Sequence, residues 1–312
     1  MEHYVTLFDS LFLPQGIALH ASLERHAGSY KLWVLCVDER AHEVLSKMAL
    51  PNMRLLRLAD WETPELLRVK PGRTRGEYCW TLTPFAPKFV FDADASVGRV
   101  TYLDADVWFC GDAAKPLLEL EQSGKTVLIT EHAYAPEYDY EATAGRFCVQ
   151  FMTFVRQHCE TVRAWWAERC IEWCFARYED GKFGDQRYLD DWPQRFPEHV
   201  HVLQHKALLQ APWNAVRFNV NDAVMYHFHG LRLLRNQQLW FVEGYKIPEV
   251  TIRSIYHHYA EDFSRALTHL REVGHVAQPQ SSKPLWQLQL REVGRRITAP
   301  RRFSLVPMSV AV

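Results

Sequence analysis

No stretch of the 312 residues approaches the roughly 18 consecutive apolar positions needed to cross a bilayer, so a membrane-spanning helix is excluded. An excess of one charge is also missing: 36 Lys and Arg stand against 37 Asp and Glu, a formal net charge of -1 with the 15 His neutral. That balance disfavours a net-basic nucleic-acid binder. The opening Met1-Glu2-His3-Tyr4 has no basic region and passes at once into a strand pattern, so no secretory signal is expected and a cytoplasmic location is. The 7 cysteines are odd in number and mostly lie in apolar runs, a pattern of free thiols in a reducing compartment. Cys170 and Cys174 are closely spaced without a zinc-like partner pair, and packing is the expected reading. There is no phosphate-binding loop, no Gly-x-Gly-x-x-Gly after the first strand, no Gly-x-Ser-x-Gly and no His-Glu-x-x-His. Kinase and dehydrogenase chemistry is therefore poorly supported.

What is abundant is aromatic: 11 Trp, 13 Tyr and 17 Phe, enough to fill a core and also to line a groove for a flat or sugar-like ligand. Short apolar runs at Tyr4–Phe8, Lys31–Val37 and Met53–Leu58 alternate with helical segments, the first entered at Pro14 and the second over 39–49. This alternation predicts an α/β fold with a mostly parallel central sheet flanked by helices. Further strands are expected at Val100–Leu103, Lys125–Thr130, Phe147–Phe154 and Ala223–Phe228, and a long helix carries Val162, Trp166, Cys170 and Trp173. Residues 131–146 are polar and rich in Tyr and Glu, a mobile loop over a site by expectation. Without a linker or internal repeat, residues 1–275 read as one domain. Residues 276–312 form a basic tail, six Lys or Arg against one Glu, that can be a surface helix, a partner contact or a peripheral contact with the inner face of an anionic membrane.

Four features can carry chemistry. In Tyr102-Leu103-Asp104-Ala105-Asp106 the first carboxylate ends a buried strand, where open α/β sheets place ligands. Two carboxylates separated by one residue can share a hard cation such as Mg²⁺ or Mn²⁺, or can cap a turn and face solvent. Asp92-Ala93-Asp94 repeats the spacing but ends a helix, and reads as a cap. His227-Phe228-His229-Gly230 offers imidazoles for Mn²⁺ or a pair of packed histidines, and the two share a face if the strand runs that far. Gly184-Asp185-Gln186 opens a helix, where Asp185 can cap backbone amides or, with Gln186, bind hydroxyls. Lys88 is a cation in an apolar segment, either paired with an anion or snorkelling to the surface.

Taken in order, these residues resemble family 8 of the glycosyltransferases, the retaining, glycogenin-like and galactosyltransferase-like group with the GT-A nucleotide-diphospho-sugar transferase fold, over roughly residues 4 to 235. Val5-Thr6-Leu7 and the helix with Gly16 resemble the uridine-binding opening, which implies nucleotide contacts at Thr6 and Leu7. Lys88 matches the family lysine facing the nucleotide-sugar, and Asp104-Ala105-Asp106 matches the metal-binding Asp-x-Asp. Asp185-Gln186 matches the Asp-Gln pair beside the donor sugar, and His227-Phe228-His229-Gly230 matches His-Phe-x-Gly, making His227 the third metal ligand. Two departures stand out. Leu231-Arg232-Leu233-Leu234-Arg235 replaces the family's Lys-Pro-Trp region, so Arg232 or Arg235 takes the diphosphate contact. Cys148-Val149-Gln150 replaces Asn-x-Gly, leaving Gln150 to reach sugar hydroxyls in place of the Asn amide. Trp213 and Asn214 suit an acceptor sugar, or a packed turn.

The resemblance implies a retaining hexosyltransferase that uses Mn²⁺ or Mg²⁺ and a nucleotide-sugar donor, UDP-linked. Its acceptor would be a glycan, glycolipid or protein. The alternatives are a catalytically weak nucleotide-sugar-binding protein that keeps the fold, and a nucleotidyltransferase, for which Asp9-Ser10-Leu11-Phe12 lacks the glycine-rich cationic loop.

Overall fold

The structure, a computed structural model, describes residues 1–235, 237–241, 244–281, 287–288 and 309–311. It opens with strands β1 (Glu2–Phe8), β2 (Tyr30–Cys36) and β3 (Met53–Arg57), connected through helices α1 (Leu13–His26) and α2 (Glu39–Met48). Local chemistry fixes these boundaries. Asp38 caps α2 by accepting from the Ala41 amide and reaches back to the Ser10 hydroxyl at 2.8 Å, joining the ends of β1 and β2. Three helices follow: α3 (Pro64–Val69), α4 (Arg75–Leu82) and α5 (Ala86–Ala93). Thr74 and Glu77 form a capping box on α4. Helix α4 stops ahead of Pro84, which lacks the amide needed to continue it, and the chain restarts as α5 at Ala86.

Strands β4 (Arg99–Leu103) and β5 (Val107–Phe109) come next, then α6 (Lys115–Ser123), β6 (Val127–Glu131), α7 (Glu141–Ala144), β7 (Phe147–Val155) and α8 (Glu160–Glu172). After α9 (Trp192–Arg195) lie the short strands β8 (Val200–Val202), β9 (Leu209–Gln210), β10 (Met225–His227), β11 (Arg232–Leu233) and β12 (Gln238–Trp240). Helix α10 (Glu249–Thr251) runs through a π-helical turn into α11 (His257–Glu272), and β13 (Ser309–Ala311) pairs with β12.

The main sheet has the order β3-β2-β1-β4-β7-β6-β8. All neighbours are parallel except β7, which runs against both β4 and β6. The expected mostly parallel α/β architecture is therefore present. Strand alternation sends side chains to two cores. Tyr4 and Phe8 of β1 and Leu32, Val34 and Cys36 of β2 join the core shared with α1, α2 and α11. Val5, Leu7, Trp33 and Leu35 join the opposite core, with α3, α4, α5 and α8. Cys170 and Cys174 are buried free thiols in that second core, as their packing reading required. Helix α11 is held to α1 and β5 by the buried Asp262 carboxylate, which pairs with Arg25 and Arg265 and accepts from Trp108 Nε1 at 2.7 Å.

Asp94 accepts from the Ser96 amide at 2.9 Å and the Ser96 hydroxyl at 2.6 Å, so the second Asp-x-Asp is the turn cap its position predicted. Among the described residues no helix is long and apolar enough to cross a membrane. The cations of the basic tail, Lys283, Arg291, Arg295, Arg296, Arg301 and Arg302, lie outside the described residues.

Candidate active site

The order of the main sheet reverses at β1: β2 and β3 extend to one side, β4 to the other. Open α/β sheets leave a crevice at such a point, beyond the carboxyl ends of the strands. A cavity of about 750 Å³ lies there, lined by Leu7, Phe8 and Asp9 at the end of β1 and by Tyr102, Asp104, Ala105 and Asp106 at the end of β4.

His227 reaches the same place through a second, small sheet of order β5-β10-β9. Strand β5 begins directly after Asp106 and runs antiparallel to β10, pairing Val107 with His227. The Phe228 amide then donates to the Asp106 carbonyl at 2.8 Å, which closes the corner. As a result His227 Nε2 is 3.1 Å from an Asp106 carboxylate oxygen and 3.9 Å from one of Asp104. One ligand atom from each of the three lies within 4.8 Å of the others, a spacing at which a single cation can touch all three. The set of two carboxylates and one imidazole fits a divalent metal of the Mn²⁺ or Mg²⁺ kind.

Electrostatics support that fit. Burial, partly offset by His227 and reinforced by the like charge of Asp106, pushes the Asp104 carboxyl up to about 6. Burial acts on Asp106 too, but the neighbouring His227 outweighs it and holds that carboxyl at about 2. Asp185 lines the same cavity, and burial together with Asp104 pushes its carboxyl up to about 7. The raised carboxyls of Asp104 and Asp185 are what a bound cation would relieve.

Asp185 is placed from behind: Trp166 Nε1, fully buried on α8, donates to its carbonyl at 2.8 Å. The Asp185 carboxyl also takes the backbone amides of Asp185 and Gln186, as the capping reading had it, though no α-helix follows. The turn after it is a 3-10 segment, Arg187–Asp191, with no side-chain cap. Gln186 Nε2 donates to the Ala144 carbonyl at 2.6 Å, tying the end of α7 to the Asp-Gln turn. The segment over 131–146 thus covers the cavity, with Tyr134, Tyr140, Thr143 and Ala144 on its wall. It is further held by Arg146 N on Asp190 at 2.9 Å and by Ala135 N on the Trp213 carbonyl at 2.9 Å.

The structure brings Leu7, Asp104, Asp106, Asp185, Gln186, His227 and Arg232 to one cavity. Arg232 takes this place after Gly230, whose φ of +82° turns the chain back, whereas Arg235 is exposed and not on the wall. Strand β10 ends at His227, yet His229 also lines the cavity, its ring 5.9 Å from that of His227. Two residues expected to contact the nucleotide do not line this cavity. Thr6 is fully buried within β1, one full pleat short of the strand end, and contributes nothing to the wall. Lys88 pairs with Asp92 one turn along α5, both side chains being more than 40% exposed, and is likewise absent from the wall. Gln150 is buried behind His227, while Cys148 of the same strand lines the cavity. Asn214 is fully buried and staples the turn by donating to the His132 carbonyl at 2.9 Å, so the acceptor reading for that amide gives way to the packing one.

Sequence reasoning passed over several wall residues. His132 and Tyr134 stack with centroids 4.6 Å apart, and the Trp213 ring stands edge-on to His132. Arg75 pairs with Asp9 at 3.0 Å, and Thr83 reaches the wall because Pro84 ends α4. Only the clustering of Tyr in the loop over 131–146 signalled any of this in advance.

This is the α/β architecture of GT-A glycosyltransferases. The chain aligns with the galactosyltransferase LgtC, solved with donor and acceptor sugar analogues, at a TM-score of 0.52 and 13% identity over 91% of this chain and 99% of that one. It aligns with the apo form of the glycosyltransferase GlyE of Streptococcus pneumoniae TIGR4 at a TM-score of 0.51 and 14% identity, over 90% of this chain and 66% of the other. By sequence it is 31% identical over 253 residues to YfnF, an uncharacterized protein of Bacillus subtilis (strain 168), covering 74% of this chain and 82% of YfnF. The uncharacterized YfnD of the same strain is 29% identical over 279 residues, covering 84% and 89%. The chain belongs to the family of YfnF. No established family profile matches it.

Proposed function

We propose that this protein is a metal-dependent glycosyltransferase. It would move a sugar from a nucleotide-diphosphate sugar, UDP-linked, to an acceptor hydroxyl with retention of configuration, in the manner of family 8. The observation that carries the reading is the Asp104–Asp106–His227 cluster facing a cavity at the sheet's reversal point, in a fold shared with LgtC and GlyE. Asp104, Asp106 and His227 hold the cation, Mn²⁺ or Mg²⁺. Bound there, it supplies Lewis-acid charge against the negative charge that builds on a departing diphosphate.

The remaining roles fall to the chain itself. The bond from the sugar C1 to the diphosphate oxygen breaks, a bond from C1 to the acceptor oxygen forms, and the acceptor proton is released with the nucleoside diphosphate. Arg232 adds positive charge on the side of the leaving group, and Leu7 lies on the wall beside the nucleoside. Asp185 contacts the reacting sugar, orienting it or stabilising its oxocarbenium-like state, and is not assigned as a nucleophile. The segment over 131–146, held through Gln186, excludes the water that would otherwise hydrolyse the donor. The aromatic wall of Tyr134, Tyr140 and Trp213 suits an acceptor with apolar ring faces.

A panel of UDP-sugars with Mn²⁺ tests this: UDP release is measured, and the anomer formed first is read by proton NMR. Release from one donor with the donor's anomeric configuration kept is expected. An inverted product would overturn the retention assignment. UDP binding without turnover on any donor or acceptor would leave the nucleotide-sugar-binding protein.

A further inference from the structure

Gln150 is fully buried, and its place in β7 is unusual. Against β4 the pairing runs without a break from Arg99–Val155 to Leu103–Phe151. Against β6 it slips: Leu128 pairs with Thr153, but Thr130 pairs with Cys148. Val149 and Gln150 sit in that offset, and such irregularities re-aim side chains next to active sites. Here the offset lets one residue touch two of the three ligand-bearing segments. The Gln150 carbonyl accepts from the Asp104 amide at 3.2 Å. Its side-chain Oε1 is 2.8 Å from His227 Nδ1.

An amide oxygen only accepts, so the Nδ1 facing it carries the proton. The other ring nitrogen, Nε2, faces Asp106 at 3.1 Å and Asp104 at 3.9 Å; without a cation its N–H donates to Asp106, and a bound cation would take the place of that proton on the Nε2 lone pair. Rotating the amide to present its NH₂ group would set two donors against each other whenever Nδ1 is protonated. In the orientation seen, the leftover group is Gln150 Nε2, which has no partner. A buried donor left unpaired is unfavourable, by about 1–3 kcal/mol. Packing alone gives no reason for a polar side chain here, where a methionine of similar length would fill the space.

We propose that Gln150 is a positioning residue for the metal site: it fixes the tautomer and ring orientation of His227 and, through its main chain, the strand end bearing Asp104. This rests on the reading of Asp104, Asp106 and His227 as metal ligands. It also differs from the role the family comparison implied for this position, a contact with sugar hydroxyls.

The test is Mn²⁺ binding to the full chain, followed by EPR of the free ion, for wild type, Gln150→Met and Gln150→Glu. Removing a partner of this kind typically weakens metal affinity about 10–100-fold. That loss is expected for Gln150→Met, with affinity kept by Gln150→Glu, which retains an acceptor at Nδ1. Equal affinity of wild type and Gln150→Met would overturn the proposal while leaving the metal site intact. A wild type that binds no Mn²⁺ would instead remove the metal site itself, and this role with it. A measurement on the unaltered protein covers the case of a variant that does not fold. In the chain loaded with Zn²⁺ as a diamagnetic stand-in, long-range ¹H–¹⁵N spectra of His227 should show the proton on Nδ1; a proton on Nε2 would refute the assignment.

Discussion

Gly16 of α1 lies directly on the ring of Phe8, the aromatic residue that ends β1 and helps to line the cavity. A β-carbon at Gly16 would overlap the near edge of that ring and come within 3.0 Å of its Cε2. Two effects of Gly16→Ala oppose each other. Alanine is favoured over glycine in a helix interior by about 0.8–1.0 kcal/mol. Overpacking a filled site costs about 1–3 kcal/mol. Phe8 is only 3% exposed, so its ring has little room to move aside and the second effect wins. A net loss of about 1 kcal/mol follows, a drop in Tm of roughly 1–2 °C for a chain of 312 residues. UDP affinity should fall as well, because the displaced ring is part of the wall. Gly76 of α4 supplies the control, since nothing lies within 4 Å of a β-carbon there. Gly76→Ala should leave Tm unchanged or raise it. Thermal melts and UDP titrations of the two variants decide the matter. A Gly16→Ala protein that is stabilised and binds UDP as well as wild type would refute the close packing of α1 on Phe8.

Three further outcomes are expected. Lys88→Met should leave UDP affinity unchanged and stability within about 0.5 kcal/mol, because an exposed pair one helical turn apart contributes about 0.3–0.5 kcal/mol; a marked loss of UDP affinity would restore Lys88 to the nucleotide site. Asp262 governs part of the acid limb of stability: burial opposes its ionisation, but Arg25, Trp108 and Arg265 outweigh burial and lower its carboxyl below the ordinary 3.8. With the folded value depressed, the unfolded chain binds the proton more readily, so this stabilisation is full above about pH 4 and is lost as pH falls through the folded value. Asp262→Asn should therefore melt lower at neutral pH and lose less on acidification, and parallel pH curves for the two proteins would contradict this. Gln186→Leu should release the end of α7, seen as faster amide exchange over residues 139–146, and raise hydrolysis of the donor relative to transfer; unchanged exchange there would show that the Ala144 contact does not hold the segment.

The strands and helices up to β3 could be read from the sequence because period-2 and period-3.6 patterns alternate there without interruption, whereas α3 and α4 are too short, at six and eight residues, to show a period. Asp104 was legible for the same reason: a buried run that stops at a carboxylate marks a strand end, and strand ends at a sheet reversal bind ligands. What placed His227 beside it was less so. Residues 110–224 separate the two pairing strands, and β5 and β10 are only three residues each, too short to show a period. The resemblance supplied that link. Lys88 lies off the cavity wall, where an i,i+4 neighbour, Asp92, offers the cation a local partner on the helix surface. Thr6 also lies off the wall, because strand alternation tells which face a side chain takes but not how far the cavity extends along the strand. Gln150 depends on a slip of register between β6 and β7, which no pattern of residue types announces. His132 and Tyr134 belong to a segment whose course is set by contacts with Trp213, Gln186 and Asp190, all distant in sequence.

The most direct measurement is titration calorimetry of UDP with and without Mn²⁺, on wild type and Asp104→Asn, a substitution that keeps the side-chain size and removes its charge. Binding that requires Mn²⁺ and collapses in the variant is the expected result. UDP binding of equal strength with and without metal would contradict the assignment of Asp104, Asp106 and His227, and no binding in either condition would contradict the nucleotide site.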